Sequence, residues 1–209
     1  MNRAELKAMA KAQIKGNIGT LFVMSLIVAA VGGLLNLIPV VGSILAIILA
    51  PALSIGLIRA YLNLAKGGAV AIGDVFSAFD DFWCAFKVNF FMGLFTMLWA
   101  LLFYIPGIVK GISYSMAPYI LAENKGKPAL ECIKESQTMT YGHKMDLFVL
   151  GLSFFGWCLL GAITFGIAFI WVMPYMQATF TNAYNSLKPV EAEPVYYAPV
   201  ENVPADQQF

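Results

Sequence analysis

Charged side chains are scarce in this chain of 209 residues, making up only 12% of the sequence. Soluble domains carry about 25% charged and about 45–50% apolar residues, whereas this chain is 60% apolar. With a mean hydropathy of +0.75, it has too little polar surface to cover its apolar groups in water. The composition excludes a soluble enzyme fold, a disulfide scaffold, a basic nucleic-acid-binding protein and a wholly disordered chain.

Cysteine and histidine are also scarce, and neither forms a metal-ligand pattern. Cys84, Cys132 and Cys158 lie far apart, and the single histidine is His143. Free cysteine packs as a small apolar residue, and one histidine without a nearby carboxylate pair or cysteine cluster does not make a metal site. The sequence also lacks a nucleophile elbow and a phosphate-binding loop. We therefore expect no metal, no cofactor and no enzymatic activity.

Long apolar runs dominate the sequence instead. A helix needs about 20 mostly apolar residues to cross a bilayer, and helices are expected there because their backbone groups pair within the segment. The runs predict six spans in three hairpins, over about 18–64, 88–122 and 147–184. The spans are Ile18–Leu37, Ser43–Leu64, Val88–Ile105, Ile108–Ala122, Leu147–Ala162 and Gly166–Tyr184.

An amphipathic segment precedes each hairpin, which predicts an internal repeat. After each segment come a lysine, one spacer residue and Asn or Asp, and the second helix of each hairpin contains a proline. We predict an all-α, polytopic membrane bundle over residues 1–187, in which three interfacial helices each lead into a hairpin. A partner-binding helix is the alternative for the third segment. The segments are Glu5–Ile14, Asp74–Phe86 and Ala129–Tyr141.

The basic residues predict the orientation of the bundle. With both termini in the cytoplasm, twelve of the thirteen Lys and Arg residues fall on the inner side, and only Lys110 falls outside. Membrane proteins carry their excess of Lys and Arg in cytoplasmic loops. Residues 188–209 are rich in proline and acidic residues and poor in aliphatic ones, which predicts a disordered cytoplasmic tail.

The prolines suggest a site at the centre of the bundle. Each lies near the predicted midplane and removes a backbone hydrogen bond, and a carbonyl freed there must face protein or a watered cavity. One hypothesis is a central polar pocket, and the alternative is three kinks that only shape the bundle. The candidate pocket residues are Pro51, Ser54, Ser113, Tyr114, Ser115, Pro118, Pro174 and Gln177.

Ionisable residues are missing from the middle of the predicted spans. Such residues mark proton pathways and intramembrane catalysis, so their absence argues against a proton-coupled pump or an intramembrane protease. Cationic side chains near helix ends reach the headgroups instead. The candidate interfacial contacts are Arg59, Lys110, His143 and Lys144.

Several ordered runs resemble a known family. They are SIGLIRAYL from Ser54, IPGIVK from Ile105, YSMAPYILAEN from Tyr114, GHK from Gly142 and LSFFGW from Leu152. Over about residues 8–187, they resemble a bacterial integral-membrane family, domain of unknown function nine hundred seventy-five. The resemblance implies a multi-pass plasma-membrane protein and supplies no activity and no binding residues.

Three classes of function stay open. We favour a non-catalytic membrane scaffold or accessory subunit, whose partners are the lipid bilayer and a membrane protein held by the amphipathic segments or the tail. The first alternative is a small transporter or channel that passes an uncharged or amphiphilic solute through the proline-kinked centre. The second is a lipid-acting enzyme at the inner interface, which would use His143, Asp146 and Glu123.

Overall fold

The computed structural model describes residues 2–38, 40–164 and 166–188, and the regular elements in these ranges are all helical. This confirms the predicted all-α class. Beyond Lys188, the predicted disordered tail lies outside the described residues. The elements are α1 Arg3–Ile14, α2 Ile18–Asn36, α3 Val41–Ala65, a 3₁₀ helix Ile72–Asp81, α4 Phe82–Leu102, α5 Tyr104–Tyr114, α6 Ala117–Glu123, α7 Ala129–Met139, α8 Lys144–Leu152, α9 Phe155–Ile163 and α10 Phe169–Leu187.

Within the described ranges, four helical segments are long and apolar enough to cross a membrane, which indicates a membrane protein. Four of the six predicted spans overlap them. The predicted span 108–122 is divided between α5 and α6, and α10 carries Gln177 near its middle and Asn182 in its second half. The four segments are Ile18–Leu35, Val41–Ala65, Ile72–Leu102 and Lys144–Ile163.

The buried core lies towards one end of the bundle, which we call the base. There α1 packs on α10, the 3₁₀ helix packs on α3, and α7 packs on α4 and α6. At the opposite end, the hairpin turns expose large apolar side chains, such as Leu37 at 75% and Ile105 at 74%. Because a protein in water rarely exposes apolar surface of this extent, this end of the bundle is suited to contact with lipid.

The three amphipathic segments differ in conformation. The first is an α-helix of 12 residues, the second a 3₁₀ helix of 10 residues that leads into α4, and the third an α-helix of 11 residues. A structural repeat would make them equivalent. The predicted repeat is therefore not confirmed by the conformations of these segments.

Two local features fix the geometry of the base. A Cβ atom added at Gly56 of α3 would overlap the carbonyl oxygen of Val75 in the 3₁₀ helix, so this close approach requires glycine. One turn later, Arg59 reaches the end of the 3₁₀ helix. The second feature is the break between α5 and α6, which leaves Pro118 in the first turn of α6, where a proline costs no helical hydrogen bond.

Candidate functional site

The densest polar cluster at the base is built around Arg59. Its guanidinium donates to the Asp81 carboxylate at 2.8 Å, to the Ser77 carbonyl at 2.6 Å and to the Ala122 carbonyl at 3.1 Å. The side chains of Arg59 and Asp81 are only 10% and 18% exposed. Arg59, predicted as an interfacial contact, therefore joins α3, the 3₁₀ helix and α6 through the fork of its five N–H groups.

A second cluster gathers around Glu123, the last residue of α6. Lys66 lies 2.9 Å from one carboxylate oxygen, and the Tyr184 hydroxyl donates to the other at 2.9 Å. Lys188 pairs with the same second oxygen. The ends of α3, α6 and α10 therefore converge on one carboxylate, directly after the Ala122 carbonyl that Arg59 holds.

The electrostatics of this cluster keep Glu123 ionised. Burial alone would raise the pKa of its carboxyl, but hydrogen bonds from Lys188, Lys66 and Tyr184 outweigh burial and lower the pKa to about 2. Donors to the charged form favour that form. Glu123 therefore acts as a fixed negative charge and not as a proton donor near neutral pH.

The Glu123→Gln variant should be less stable than the wild type at neutral pH. A carboxyl whose pKa falls on folding stabilises the fold above its unfolded value, and this contribution is lost as the pH drops through the folded value. The difference in unfolding free energy should therefore be constant above pH 4.5, the ordinary pKa of a glutamate, and should disappear as the pH falls to about 2. Thermal unfolding of both proteins across this pH range checks it. A difference that does not change with pH would contradict the ion pairing.

A cleft of about 610 Å³ opens beside Glu123. An ion pair between Lys127 and Glu135 lies on its α7 side, and the hydrogen bond that the Lys127 ammonium donates to Glu135 is the main cause of the raised pKa of Lys127. The two positive and two negative side chains of the cleft balance, so it offers polarity without net charge. The lining residues are Glu123, Asn124, Lys127, Glu135, Met139, Tyr184 and Lys188.

Metal binding has no support in the described ranges, since no group of three His, Cys, Asp or Glu residues there could hold an ion. Of the other ionisable candidates, His143, Lys144 and Asp146 lie together at the start of α8, whereas Lys110 lies on α5. His143 occupies the N-cap position of α8 without a capping hydrogen bond from its side chain, and its Nδ1 atom lies 3.5 Å from the Asp146 carboxylate. Lys144 is the first residue of α8 and is half-buried, and the Lys110 ammonium lies 5.0 Å from the centroid of the Trp99 ring.

The predicted central pocket residues are distributed over four helices, α3, α5, α6 and α10. Pro51, Pro118 and Pro174 are buried in α3, α6 and α10, and α3 packs against both other helices. Tyr114 is buried at the end of α5, and the backbone carbonyl of Gln177 accepts the Thr181 hydroxyl.

The serine hydroxyls of the predicted pocket are bonded within their own helices. Ser54 donates to the Pro51 carbonyl at 2.9 Å. Ser113 donates to Val109 and Ser115 to Ile112, each at 2.8 Å. Such i−3 and i−4 bonds satisfy a hydroxyl without a partner on another helix. These three serines are therefore already satisfied as donors.

The break between α5 and α6 is repaired by a residue that the sequence analysis did not single out. The Ser136 hydroxyl of α7 donates to the Ser113 carbonyl at 2.7 Å and accepts the Met116 N–H at 3.2 Å. Ser136 is fully buried, although it lies in a segment rich in charged residues. The unpaired backbone of a proline break next to an amphipathic segment is the signal that would have pointed to it.

The Ser136→Ala variant should lose about 1–3 kcal/mol of unfolding free energy, because it leaves the buried Met116 N–H without a partner and the Ser113 carbonyl with only the 3.4 Å bond from the Thr140 hydroxyl. Thr138→Ala is the matched control, since that exposed hydroxyl bonds only to Lys134 in its own helix. We expect the control to change stability by less than about 0.5 kcal/mol. Equal losses in the two variants would show that Ser136 does not repair the break.

The comparison with known families bears directly on these residues. A family model described as "Protein of unknown function (DUF975)" matches residues 1–113 and 104–191. The chain belongs to the DUF975 family. This confirms the resemblance seen in the sequence, and the matched ranges contain Arg59, Glu123 and Ser136. No curated protein and no solved structure matches the chain, and the DUF975 description names no activity.

Proposed function

We propose that this DUF975 protein is a non-catalytic scaffold or accessory subunit of the bacterial plasma membrane. In this proposal, the base faces the cytoplasm and holds a membrane-protein partner, while the apolar helices anchor the base in the bilayer. Both termini are cytoplasmic, as the distribution of Lys and Arg favours. The divided helix α5–α6 and helix α10 complete six spans in three hairpins.

The observation that carries this proposal is where the polar contacts between elements lie. At the base, Arg59 joins three elements and Glu123 joins the ends of three helices. Near the prolines, Ser54 and Ser115 bond within their own helices, and the Ser136 hydroxyl, which joins two elements there, is bonded to the backbone of the α5–α6 break. A solute path needs polar groups directed at the solute, whereas a scaffold needs a base of fixed shape. The arrangement favours the scaffold.

The base also presents a face that a partner can contact. Glu131 and Lys134 of α7 are exposed, while Cys132 and Ile133 of the same helix are buried. The exposed residues therefore stand on a helix whose other side is fixed in the core. Binding to a rigid surface costs less conformational entropy than binding to a mobile one.

The test compares partner binding with solute flux. In membranes of the source bacterium, blue-native electrophoresis should show the protein in a discrete complex, and Glu131→Lys with Lys134→Glu should dissociate it. The matched control is Lys87→Glu, an exposed change at the start of α4, which should leave the complex intact. In proteoliposomes, glycerol and urea should enter no faster than into protein-free liposomes. Rapid entry, or a monomer in native membranes, would contradict the proposal.

A further inference from the structure

Helix α1 carries a row of basic side chains. They recur every four residues, close to the 3.6-residue turn of a helix, so they follow one side of it. Next to this row, Leu6, Ala10 and Ile14 are buried against the bundle, which fixes the orientation of α1. We call four residues the basic row: Arg3, Lys7 and Lys11 of α1, and Lys15, which follows at the C-cap of the helix.

The basic row is not neutralised by the protein. Five basic residues elsewhere pair with carboxylates, but none of the basic row has an acidic partner among the described residues. Glu5 is the only acidic residue in α1. Like charges four residues apart on a helix repel each other. The pKa of Lys7 is lowered, mainly because the side chain is partly buried and also because the Lys11 ammonium repels its charge.

The basic row also lies against a candidate membrane span. The Lys7 ammonium is 4.7 Å from the centroid of the Phe154 ring, and the Lys11 ammonium is 5.6 Å from that of Tyr175. Phe154 belongs to the span Lys144–Ile163. The row therefore borders the apolar helices, and its long cationic side chains can extend from them towards the headgroups.

We propose that the basic row of α1 binds the headgroups of anionic phospholipids in the inner leaflet. An anionic headgroup would supply the negative charge that the basic row lacks among the described residues. It would bind where α1 packs against the side of the bundle. An acidic protein segment would meet the same charges, but the contact of Lys7 with the Phe154 ring of a candidate span favours lipid. The inference rests on the cytoplasmic position of α1 in the proposed function and adds the class of lipid.

The test uses the purified full chain in a neutral detergent, titrated with phosphatidylglycerol or phosphatidylcholine and followed by native mass spectrometry. Phosphatidylglycerol should bind to the wild type, and added salt should weaken it. The variant Lys11→Gln/Lys15→Gln changes two exposed residues and should bind about 25-fold more weakly, since each basic residue near an anionic surface contributes roughly a fivefold factor. The control Lys125→Gln/Lys134→Gln, exposed on other elements, should bind like the wild type.

Three results would overturn the inference. They are equal binding of phosphatidylcholine, an equal loss in the control variant, and displacement of phosphatidylglycerol by inorganic phosphate or polyglutamate at the same charge concentration. Displacement by phosphate would indicate a free-anion site, and displacement by polyglutamate a site for an acidic protein. The experiment contains no partner protein, so its failure is distinguishable from failure of the scaffold proposal.

Discussion

The Arg59→Met variant should lose about 3–5 kcal/mol of unfolding free energy, the loss typical of a buried ion pair from which one partner is removed. Methionine fills much of the same space, but it leaves the Asp81 carboxylate and the carbonyls of Ser77 and Ala122 without their donor. Unfolding in mixed micelles, with an increasing fraction of sodium dodecyl sulfate, measures this loss.

Two controls distinguish the loss of the buried ion pair from the general effect of removing a positive charge. Lys66→Met removes an ion pair whose lysine is 60% exposed, so its loss should stay below about 1 kcal/mol. The double variant Arg59→Met/Asp81→Leu should recover part of the loss, because the unpaired carboxylate is removed with its partner. If Arg59→Met cost no more than Lys66→Met, the central role of Arg59 in the base would be wrong.

The Gly56→Ala variant should lose about 3 kcal/mol of unfolding free energy, at the upper end of the range for overpacking a core. The added methyl group would overlap the Val75 carbonyl oxygen, and this backbone atom cannot turn away as a flexible side chain can. The 3₁₀ helix must therefore move away from α3, which also pulls the Ser77 carbonyl and the Asp81 carboxylate away from Arg59. The same unfolding measurement detects the loss.

Gly93→Ala is the matched control for Gly56→Ala. Gly93 also lies inside an apolar helix, but a Cβ atom there would meet nothing within 4 Å. Since alanine costs less backbone entropy than glycine in a helix, this variant should gain about 0.5–1 kcal/mol. A loss of unfolding free energy in Gly56→Ala and a gain in Gly93→Ala would confirm the contact of α3 with the 3₁₀ helix. A loss of similar size in both variants would refute it.

The sequence predicted the fold class because apolar length and backbone pairing leave few other solutions. It did not predict how α5 and α6 divide, although Pro118 marked the place. Repair of that break depends on Ser136, 20 residues after Met116, and the hydrophobic pattern of α7 gives no sign of it. The spacing of apolar residues in a sequence shows which side of a helix is buried, but not which other element packs against that side.

The candidate site shows the same limit. The sequence placed Arg59 near a helix end but did not give its partner, because Asp81 lies 22 residues away on a 3₁₀ helix. It predicted the basic residues of α1 as part of the inner charge, but not the contacts of Lys7 and Lys11 with aromatic rings. Long-range pairing of charges comes from the packing of elements, and local patterns do not record it.

Membrane insertion with the base on the cytoplasmic side is the central claim, and cysteine accessibility tests it most directly. Starting from a protein with Cys84, Cys132 and Cys158 replaced by alanine, single cysteines are introduced as Ser43→Cys, beside the first hairpin turn, or Lys134→Cys, on the base. Both positions are exposed. In intact cells, a membrane-impermeant maleimide should label Ser43→Cys. It should label Lys134→Cys only after the membrane has been permeabilised. Labelling of Lys134→Cys from outside the cell would contradict the account.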